Sequence, residues 1–219
     1  MEQAQSLVQI IALTLGVSWA SGINLYAAML TLGLLGASGH AVLPPGLEIL
    51  THPTVLFAAG TMYCVEFFAD KVPGVDTGWD VLHSFIRIPA AAVLAAAASM
   101  QIGPAAQVAA AIIGGGLAAG SHLTKASSRI LINTSPEPVT NSAASLTEDA
   151  VVVAGVWTAL NHPLAFCLLL AILIAVTLWL LPKLMRGIRA LWRKLHFWRK
   201  SPPPGPRATP LPPAKDHVP

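Results

Sequence analysis

The sequence has few charged residues. Aspartate, glutamate, lysine and arginine make up 11% of the chain and hydrophobic residues 54%, whereas about 25% charged residues is usual for a soluble domain. This scarcity excludes an ordinary soluble domain, because much of the surface must face something other than water. Basic residues interleaved with aromatic ones are missing before residue 182, which argues against a nucleic-acid-binding protein.

Cysteine is scarce too, and several catalytic motifs are missing. Cys64 and Cys167 lie in separate apolar segments without a CxxC pair, so we expect two buried free thiols and neither a disulfide nor a metal site. The sequence contains no HExxH or GxSxG motif. The glycines at 114–116 lack the Lys-Ser/Thr of a phosphate-binding loop and predict close helix packing. No cofactor is expected.

The apolar segments predict an all-α, polytopic membrane protein. The first residues lack the basic region of a secretory signal, so the first apolar stretch is expected to remain in the membrane. About 20 apolar helical residues cross a bilayer, and about six stretches qualify or nearly do so. They are 7–35, 53–70, 88–101, 104–123, 142–160 and 163–182, which together give a membrane domain at residues 1–182.

The first of these segments is too long for one straight span. Small and polar residues cluster in its middle, at residues 18–24. Gly22 and Asn24 could open the helix there, which would give a broken span or a re-entrant hairpin. The alternative is one long tilted helix whose small residues lie at a packing interface.

The basic residues predict the orientation of the protein. All thirteen lysines and arginines fall on one side of the predicted membrane-spanning segments. The predicted turns on the other side (37–52, 99–104 and 161–162) contain none. Because basic residues are retained on the cytoplasmic side during insertion, this pattern predicts cytoplasmic amino and carboxyl termini.

The chain changes character after residue 182. Residues 183–200 combine apolar residues at helical spacing with many basic ones, which predicts an amphipathic juxtamembrane helix lying against anionic lipids of the bilayer. Residues 201–219 are rich in proline and are predicted to be disordered.

Ionisable and amide residues are concentrated on the cytoplasmic side. The first connection there contains Glu66, Asp70, Asp76, Asp80, His83 and Arg87. The second contains His122, Lys125, Arg129, Asn141, Ser145, Glu148 and Asp149, and the first segment adds Asn24 and Tyr26. Asp76 is predicted to cap a short helix that is separate from the third span. One side of this short helix carries Asp80 and Arg87. An acid within the apolar fifth segment costs about 2.5–3.5 kcal/mol unless it faces protein or water.

Each of these residues also has a simpler interpretation. Asp70 and Lys71 would form a solvated pair, Asp76 would only cap a helix, and single histidines are usually structural. The number of acids is harder to explain. The two connections contain seven acids and four bases, and acids contribute little to topology. We therefore predict a polar vestibule where the connections meet, whose members pair mutually or hold a cation, a proton or a polar headgroup.

A weak internal similarity relates the two halves of the chain. Asn24, a small-residue helix and His52-Pro53 resemble Asn141, a small-residue helix and His162-Pro163. A duplication of this kind would suggest a transporter-like architecture with broken helices.

Several spaced motifs resemble a family of bacterial membrane proteins, domain of unknown function 4126. They are Gly22-x-Asn24-x-Tyr26, Pro44-Pro45-Gly46-Leu47-Glu48, the run from Glu66 through Asp70-Lys71-x-Pro73-Gly74-x-Asp76 to Arg87, His122-x-x-Lys125-Ala126-x-x-Arg129, and Asn141-x-x-x-Ser145-x-x-Glu148-Asp149. The resemblance covers residues 7–182 and departs from the family at Ile88, where arginine is expected directly before the proline. It implies a bacterial inner membrane location and no particular reaction.

Three functions are compatible with this pattern. The first is a small transporter, permease-like or lipid-handling protein, in which a cation or proton would be carried by Glu66, Asp70, Glu148 and Asp149, and an anionic group held by Lys125 and Arg129. The second is a scaffolding protein whose polar network only fixes the fold. The third is a metal-assisted enzyme, which is less favoured because Asp76, Asp80, His83 and His122 match no known zinc spacing. With so few helices, a homo-oligomer is plausible.

Overall fold

The computed structural model describes residues 2–72, 74–134 and 138–200, with side chains from 6 to 193 apart from 73 and 135–138. These described residues form helices and no strand, which confirms the all-α prediction. The predicted disordered tail at 201–219 and the acid Glu137 lie outside the described residues. So do the side chains of 194–200, the last part of the predicted basic helix.

Six α-helices follow one another along the described chain. They are α1 (Glu2–Ala37), α2 (Pro53–Ala69), α3 (Val75–Ala98), α4 (Pro104–Ile132), α5 (Pro138–Asn161) and α6 (Pro163–Lys200), with a short 3₁₀ helix at Pro45–Thr51 before α2. Five of them are long and apolar enough to cross a membrane, and α2 is a shorter apolar helix of 17 residues. Proline begins four of the six α-helices and also the 3₁₀ helix, at positions where its missing N–H interrupts no intrahelical hydrogen bond.

Two helices continue past prolines at which the sequence suggested a boundary. The predicted short helix after Gly74 and the third span are one helix, α3, which passes through Pro89. Likewise α6 continues through Pro182 to Lys200, so the basic segment is an extension of α6. If either helix ended at its proline, the N–H and C=O groups of the next turn would lose their hydrogen-bond partners in an apolar environment. This cost favours a helix that continues across the proline. Contact of this extension with anionic lipids stays a prediction.

Helix α1 is broken at Asn24. This residue has extended backbone angles (φ −145°, ψ 101°) between a first half, α1a (2–23), and a second half, α1b (25–37). Its side-chain oxygen accepts a hydrogen bond of 2.9 Å from the amide of Ala27 and so caps α1b. Two residues earlier, Gly22 packs so tightly on α4 that a Cβ atom there would overlap Ser121 and Ala118. The prediction of a broken first segment is confirmed.

The two halves of α1 form a re-entrant hairpin. Ser6 and Gln9, at the start of α1a, line one cavity together with Ala41, Gln101 and Asn161. These last three lie in or beside the connections 38–52, 99–103 and 161–162, and α1b also ends there, at the beginning of the first of them. We call this the turn end of the bundle. The opposite end, which carries Lys71, Arg129 and the later part of α6, is the basic end.

The prediction that both termini lie on one face is wrong. Helix α1 begins and ends at the turn end. Each of the five α-helices after it runs from one end of the bundle to the other, so the chain finishes at the basic end. Met185 of α6 lies beside the last turns of α4, where its sulfur is 3.8 Å from the hydroxyl of Ser127. Hydrophobic length alone does not distinguish a crossing helix from a hairpin. That the basic end faces the cytoplasm stays a prediction.

The α1 hairpin lies at the centre of the bundle, and the other helices surround it. Ala12, Val17 and Leu32 of α1 are completely buried, whereas α2 to α6 expose large apolar side chains on their outer faces, as expected of helices in lipid. Cys64 is exposed on the outer face of α2 and Cys167 is half-buried. The expectation of two buried thiols is therefore wrong for Cys64, because its helix face points away from the protein.

Candidate functional site: a buried charge network

Lys125 is the centre of a buried charge network at the basic end. It lies on α4, about 30 Å along the helix from Pro104 at a rise of 1.5 Å per residue. Its ammonium nitrogen donates a hydrogen bond of 3.1 Å to the carbonyl of Ile23, at the break in α1. Four carboxylates surround it, at 2.9 Å for Asp70, 3.5 Å for Glu66, 3.5 Å for Glu148 and 3.7 Å for Asp80.

Arg87 joins α2 to α3 within this network. Its guanidinium lies 2.5 Å from Glu66 and 2.9 Å from Asp80, and all three side chains are essentially inaccessible to solvent. Asp80 and Arg87 are seven residues apart, so two turns of α3 place them on one face. The same guanidinium lies 3.2 Å from Nδ1 of His122, and Nε2 of that imidazole lies 2.6 Å from the hydroxyl of Ser84.

Arg129 joins α4 to α5. Its guanidinium donates to both carboxylate oxygens of Glu148, at 2.6 and 3.3 Å, a two-point geometry typical of strong arginine pairs. It also donates to the backbone carbonyls of Asp70 and Asn141. One fully buried side chain thus holds the end of α2 and the start of α5 against α4.

The carboxylates outnumber the cations in this network. Among the described residues, the ion pairs connect four acids, Glu66, Asp70, Asp80 and Glu148, to three bases, Arg87, Lys125 and Arg129. Within the same described set, one oxygen each of Glu66, Asp70 and Asp80 is buried without a hydrogen-bond partner. Glu148 is the most accessible of the four acids, with 20% of its side chain exposed.

Asp76 belongs to a neighbouring cluster of amides. Its carboxylate accepts hydrogen bonds from the side chains of Asn133 and Asn141 and from the backbone amides of Gly74 and Thr77. Helix α3 begins at Val75 with Gly74 as its N-cap, so the prediction that Asp76 is the cap is wrong. The reason is that Asp76 lies inside the first turn and ties it to α4 and α5.

Asp149 connects the network to the break in α1. Its two oxygens accept hydrogen bonds of 2.9 Å each, one from the amide of Asn24 and one from the hydroxyl of Tyr63. Asn24 thereby caps α1b with its oxygen and holds α5 with its nitrogen. The adjacent Glu148 faces Arg129 and Lys125, so consecutive acids of α5 serve two different sets of partners.

The remaining predicted residues lie beside the ion pairs. Tyr26 meets the ring of His83 edge-on at 5.9 Å, and that imidazole stacks on Trp79 at 4.2 Å. Ser145 is buried in α5, one turn before Glu148. These positions shape the surroundings of the network.

Lys71 is not paired with Asp70, the acid that the sequence suggested as its partner. Its ammonium lies over the ring of Phe67 and donates a hydrogen bond of 3.1 Å to the carbonyl oxygen of that residue. Partial burial lowers the pKa of Lys71, against the opposing effects of Asp149 and Asp70. Asp70 pairs instead with Lys125, so a solvated Asp70–Lys71 pair is not what the structure contains.

Acids of the two connections therefore meet in the charge network, and Asp76 and Asp149 lie in separate contacts beside it. The network is a packed set of ion pairs, and Lys125 and Arg129 are occupied by protein carboxylates, which leaves them without room for an anionic ligand in this conformation. Sequence reasoning missed Tyr63 and Asn133. Asn133 carried a signal, since it is an amide directly after a helix, whereas Tyr63 carried none.

The residues suggested for a metal site are divided between two clusters. Asp76 lies with Asn133 and Asn141, while His122 faces Arg87 and Ser84. Within residues 2–72, 74–134 and 138–200, no three histidine, cysteine, aspartate or glutamate side chains are arranged to hold a metal ion. The geometry gives no support to metal-assisted catalysis by this set.

Comparison with known proteins identifies the family of the chain. The model of one family, described as Domain of unknown function (DUF4126), matches residues 11–183. No curated protein and no solved structure matches the chain. The family match covers the α1 hairpin from residue 11 onward and every residue of the charge network. The chain therefore belongs to the DUF4126 family of proteins.

Proposed function

We propose that this protein is a small membrane transporter that carries protons through the network around Lys125. The observation that supports this most is the convergence of four carboxylates on one buried ammonium, with two further cations, Arg87 and Arg129, paired to them among the described residues. Ionisable residues buried within membrane helices are expensive, and they commonly mark ion or proton pathways.

The imbalance of charge favours a proton as the transported species. An uncompensated charge away from water costs several kcal/mol even after relaxation of the protein, so a network with one surplus carboxylate favours binding a proton. The unpartnered oxygens of Glu66, Asp70 and Asp80 are acceptors that a proton on a neighbouring carboxyl group would satisfy. The other oxygen of each of these carboxylates lies within 4 Å of the Lys125 nitrogen, so a proton would be exchanged among groups that share one neighbour.

The position of the network relative to α1 fits a transport role. A helix broken within the membrane, with an ionisable cluster at the break, is a recurring feature of secondary transporters. Here the carbonyl of Ile23 binds Lys125 and the side chain of Asn24 binds Asp149, so both sides of the break contact charged groups. A change in the charge of the network would therefore act directly on the hinge of the central hairpin.

Proton flux in liposomes tests this proposal. The purified protein is reconstituted with a pH-sensitive dye inside, and a potassium diffusion potential, negative inside, drives protons inward. We expect the native protein to acidify the vesicles. The double variant Glu148→Gln, Asp149→Asn should reduce flux to that of protein-free vesicles, because it neutralises the accessible end of the network with side chains of nearly the same size and leaves each residue one acceptor oxygen.

The matched control is Glu48→Gln. Glu48 is an exposed acid in the 3₁₀ helix at the turn end, far from the network, and its replacement should leave the flux unchanged. Size-exclusion profiles of all variants in detergent establish that they are folded. Native protein with no flux above empty vesicles, or an unaltered flux in the double variant, would contradict the proposal.

The second candidate is a scaffolding role, favoured by the way the ion pairs tie α2, α3, α4 and α5 together. A purely structural network predicts that variants lose stability and that the native protein conducts nothing. The flux experiment therefore separates the two candidates.

A further inference from the structure

The cavity at the turn end has a volume of about 500 Å³ and is built from four separate parts of the chain. They are the start of α1a, the loop 40–44, the turn between α3 and α4, and the end of α5. The floor of this turn-end cavity consists of side chains that are buried in the core, Leu13, Leu43 and Ala159. Because packed residues fix its floor, the cavity is a formed feature of the fold, and its volume is usual for a small-molecule site.

Uncharged hydrogen-bonding groups surround this apolar floor. The side-chain amides of Gln9, Gln101 and Asn161 line the turn-end cavity together with the imidazole of His40. No aspartate, glutamate, lysine or arginine is among the described residues that line it, and the connections at this end contain no lysine or arginine. An amide both donates and accepts hydrogen bonds, whereas a phosphate would have no cation as a partner. The lining therefore fits hydroxyl and carbonyl groups without net charge.

A second cavity, of about 200 Å³, adjoins the first. Ile10 lines both of them, and Gln101 of the turn-end cavity is followed in the chain by Ile102 of the second cavity. The second cavity lies between α1a and α4 and is lined almost entirely by apolar side chains. Ile102 and Ile113, at its two ends along the chain, are about half exposed. We call this second cavity the apolar groove, because it is open to the surroundings of the bundle.

The apolar groove has about the length of one membrane leaflet. From Pro104 to Ile113 the helix α4 advances by about 14 Å, at a rise of 1.5 Å per residue. This length is close to half of a hydrocarbon core of about 30 Å. The small side chains of Ala106, Ala109 and Ala110 leave the space between α4 and α1a. The dimensions and the lining of the groove therefore fit one acyl chain in the leaflet at the turn end.

We propose that the turn end binds a lipid with an uncharged, hydroxyl-bearing headgroup, such as a diacylglycerol or a glycosyl diacylglycerol. One acyl chain lies in the apolar groove. The headgroup reaches past Ile10 into the turn-end cavity, where the amides of Gln9 and Gln101 form hydrogen bonds with its hydroxyl groups. A soluble polar molecule would occupy the cavity and leave the groove unexplained, whereas an amphiphile accounts for both. The site is separate from the charge network and goes beyond the proton transport proposed above.

A photoactivatable diacylglycerol, with a diazirine near the end of one acyl chain, tests the groove. The protein is irradiated with this probe in phosphatidylcholine nanodiscs, and labelled residues are identified by mass spectrometry. We expect saturable labelling within 106–113. Ala109→Phe, which fills the groove, should lose most of this labelling. Val108→Phe, at an exposed position beside it that is not part of the groove lining, should keep it. Equal labelling of the two variants would overturn the proposal.

Competition with unlabelled lipids tests the headgroup. Diacylglycerol or glycosyl diacylglycerol should displace the probe, and the stronger competitor identifies the headgroup, whereas phosphatidylglycerol with the same acyl chains should not. The double variant Gln9→Leu, Gln101→Leu should remove this preference, and Gln107→Leu, at a position outside both cavity linings, should keep it. Equal displacement by all three lipids in the native protein would show that any acyl chain binds and would overturn the proposal. Labelling needs no pH gradient, so its outcome is independent of proton flux.

Discussion

Replacing Arg87 with methionine should lower the free energy of unfolding by about 3–5 kcal/mol, the usual cost of removing one partner of a buried ion pair. Arg87 is completely buried and lies against both Glu66 and Asp80. Without the guanidinium, both carboxylates would remain in the interior, and Lys125 would be the one cation left within 4 Å of them among the described residues. Equilibrium unfolding in mixed detergent micelles, followed by circular dichroism, measures the change.

The control is Arg189→Met, which removes an exposed arginine from α6. Such surface substitutions usually change stability by less than about 0.5 kcal/mol. Adding Glu66→Gln to Arg87→Met should recover part of the loss, because one of the unpaired charges is then removed. A stability of Arg87→Met equal to that of Arg189→Met would show that these charges are not buried together.

Replacing Lys125 with methionine should be at least as damaging, with a loss of about 3–5 kcal/mol or more. Four carboxylates converge on this ammonium within 4 Å, and the carbonyl of Ile23 also loses its donor. Their mutual repulsion would then act at the break in α1. The yield of monodisperse protein and its unfolding transition in detergent micelles measure the effect.

Lys183→Met provides the matched lysine control. Lys183 is exposed and lies over the ring of Trp179, an interaction worth about 0.5–1 kcal/mol at exposed sites. Combining Lys125→Met with Asp70→Asn should restore part of the stability, since Asp70 is the nearest carboxylate to Lys125. If the double variant were less stable than Lys125→Met alone, the repulsion account would be wrong.

The local features of the fold were predictable, and their spatial relations less so. Gly22 and Asn24 signalled the break in α1, because an amide and a glycine together disfavour a continuous helix. The re-entrant path had a signal that the prediction did not use. No lysine or arginine precedes Lys71, so residues 1–6 share the composition of the turn end. Continuation of α3 through Pro89 could not be predicted, because it depends on packing against α1 and α4.

The candidate site shows the same division. Helical spacing placed Asp80 and Arg87 on one face, and the surplus of acids indicated that the two connections meet. The pairing itself depends on tertiary structure. Lys125 and Asp70 are far apart in sequence, and they meet because the fold brings the end of α2 to the level of Lys125, about two turns before α4 ends. For the same reason the sequence could not show that Asp76 binds amides, or that Tyr63 would reach Asp149.

Infrared spectroscopy of the purified protein tests most directly the claim that the network carries one surplus carboxylate and binds a proton. The proposal predicts the carbonyl-stretch band of a protonated carboxyl group, shifted on exchange into deuterium oxide. The single variants Glu66→Gln, Asp80→Asn and Glu148→Gln should each abolish it, because three carboxylates then balance three cations, whereas Glu48→Gln should retain it. Absence of the band in the native protein, or its persistence in all three network variants, would contradict the account.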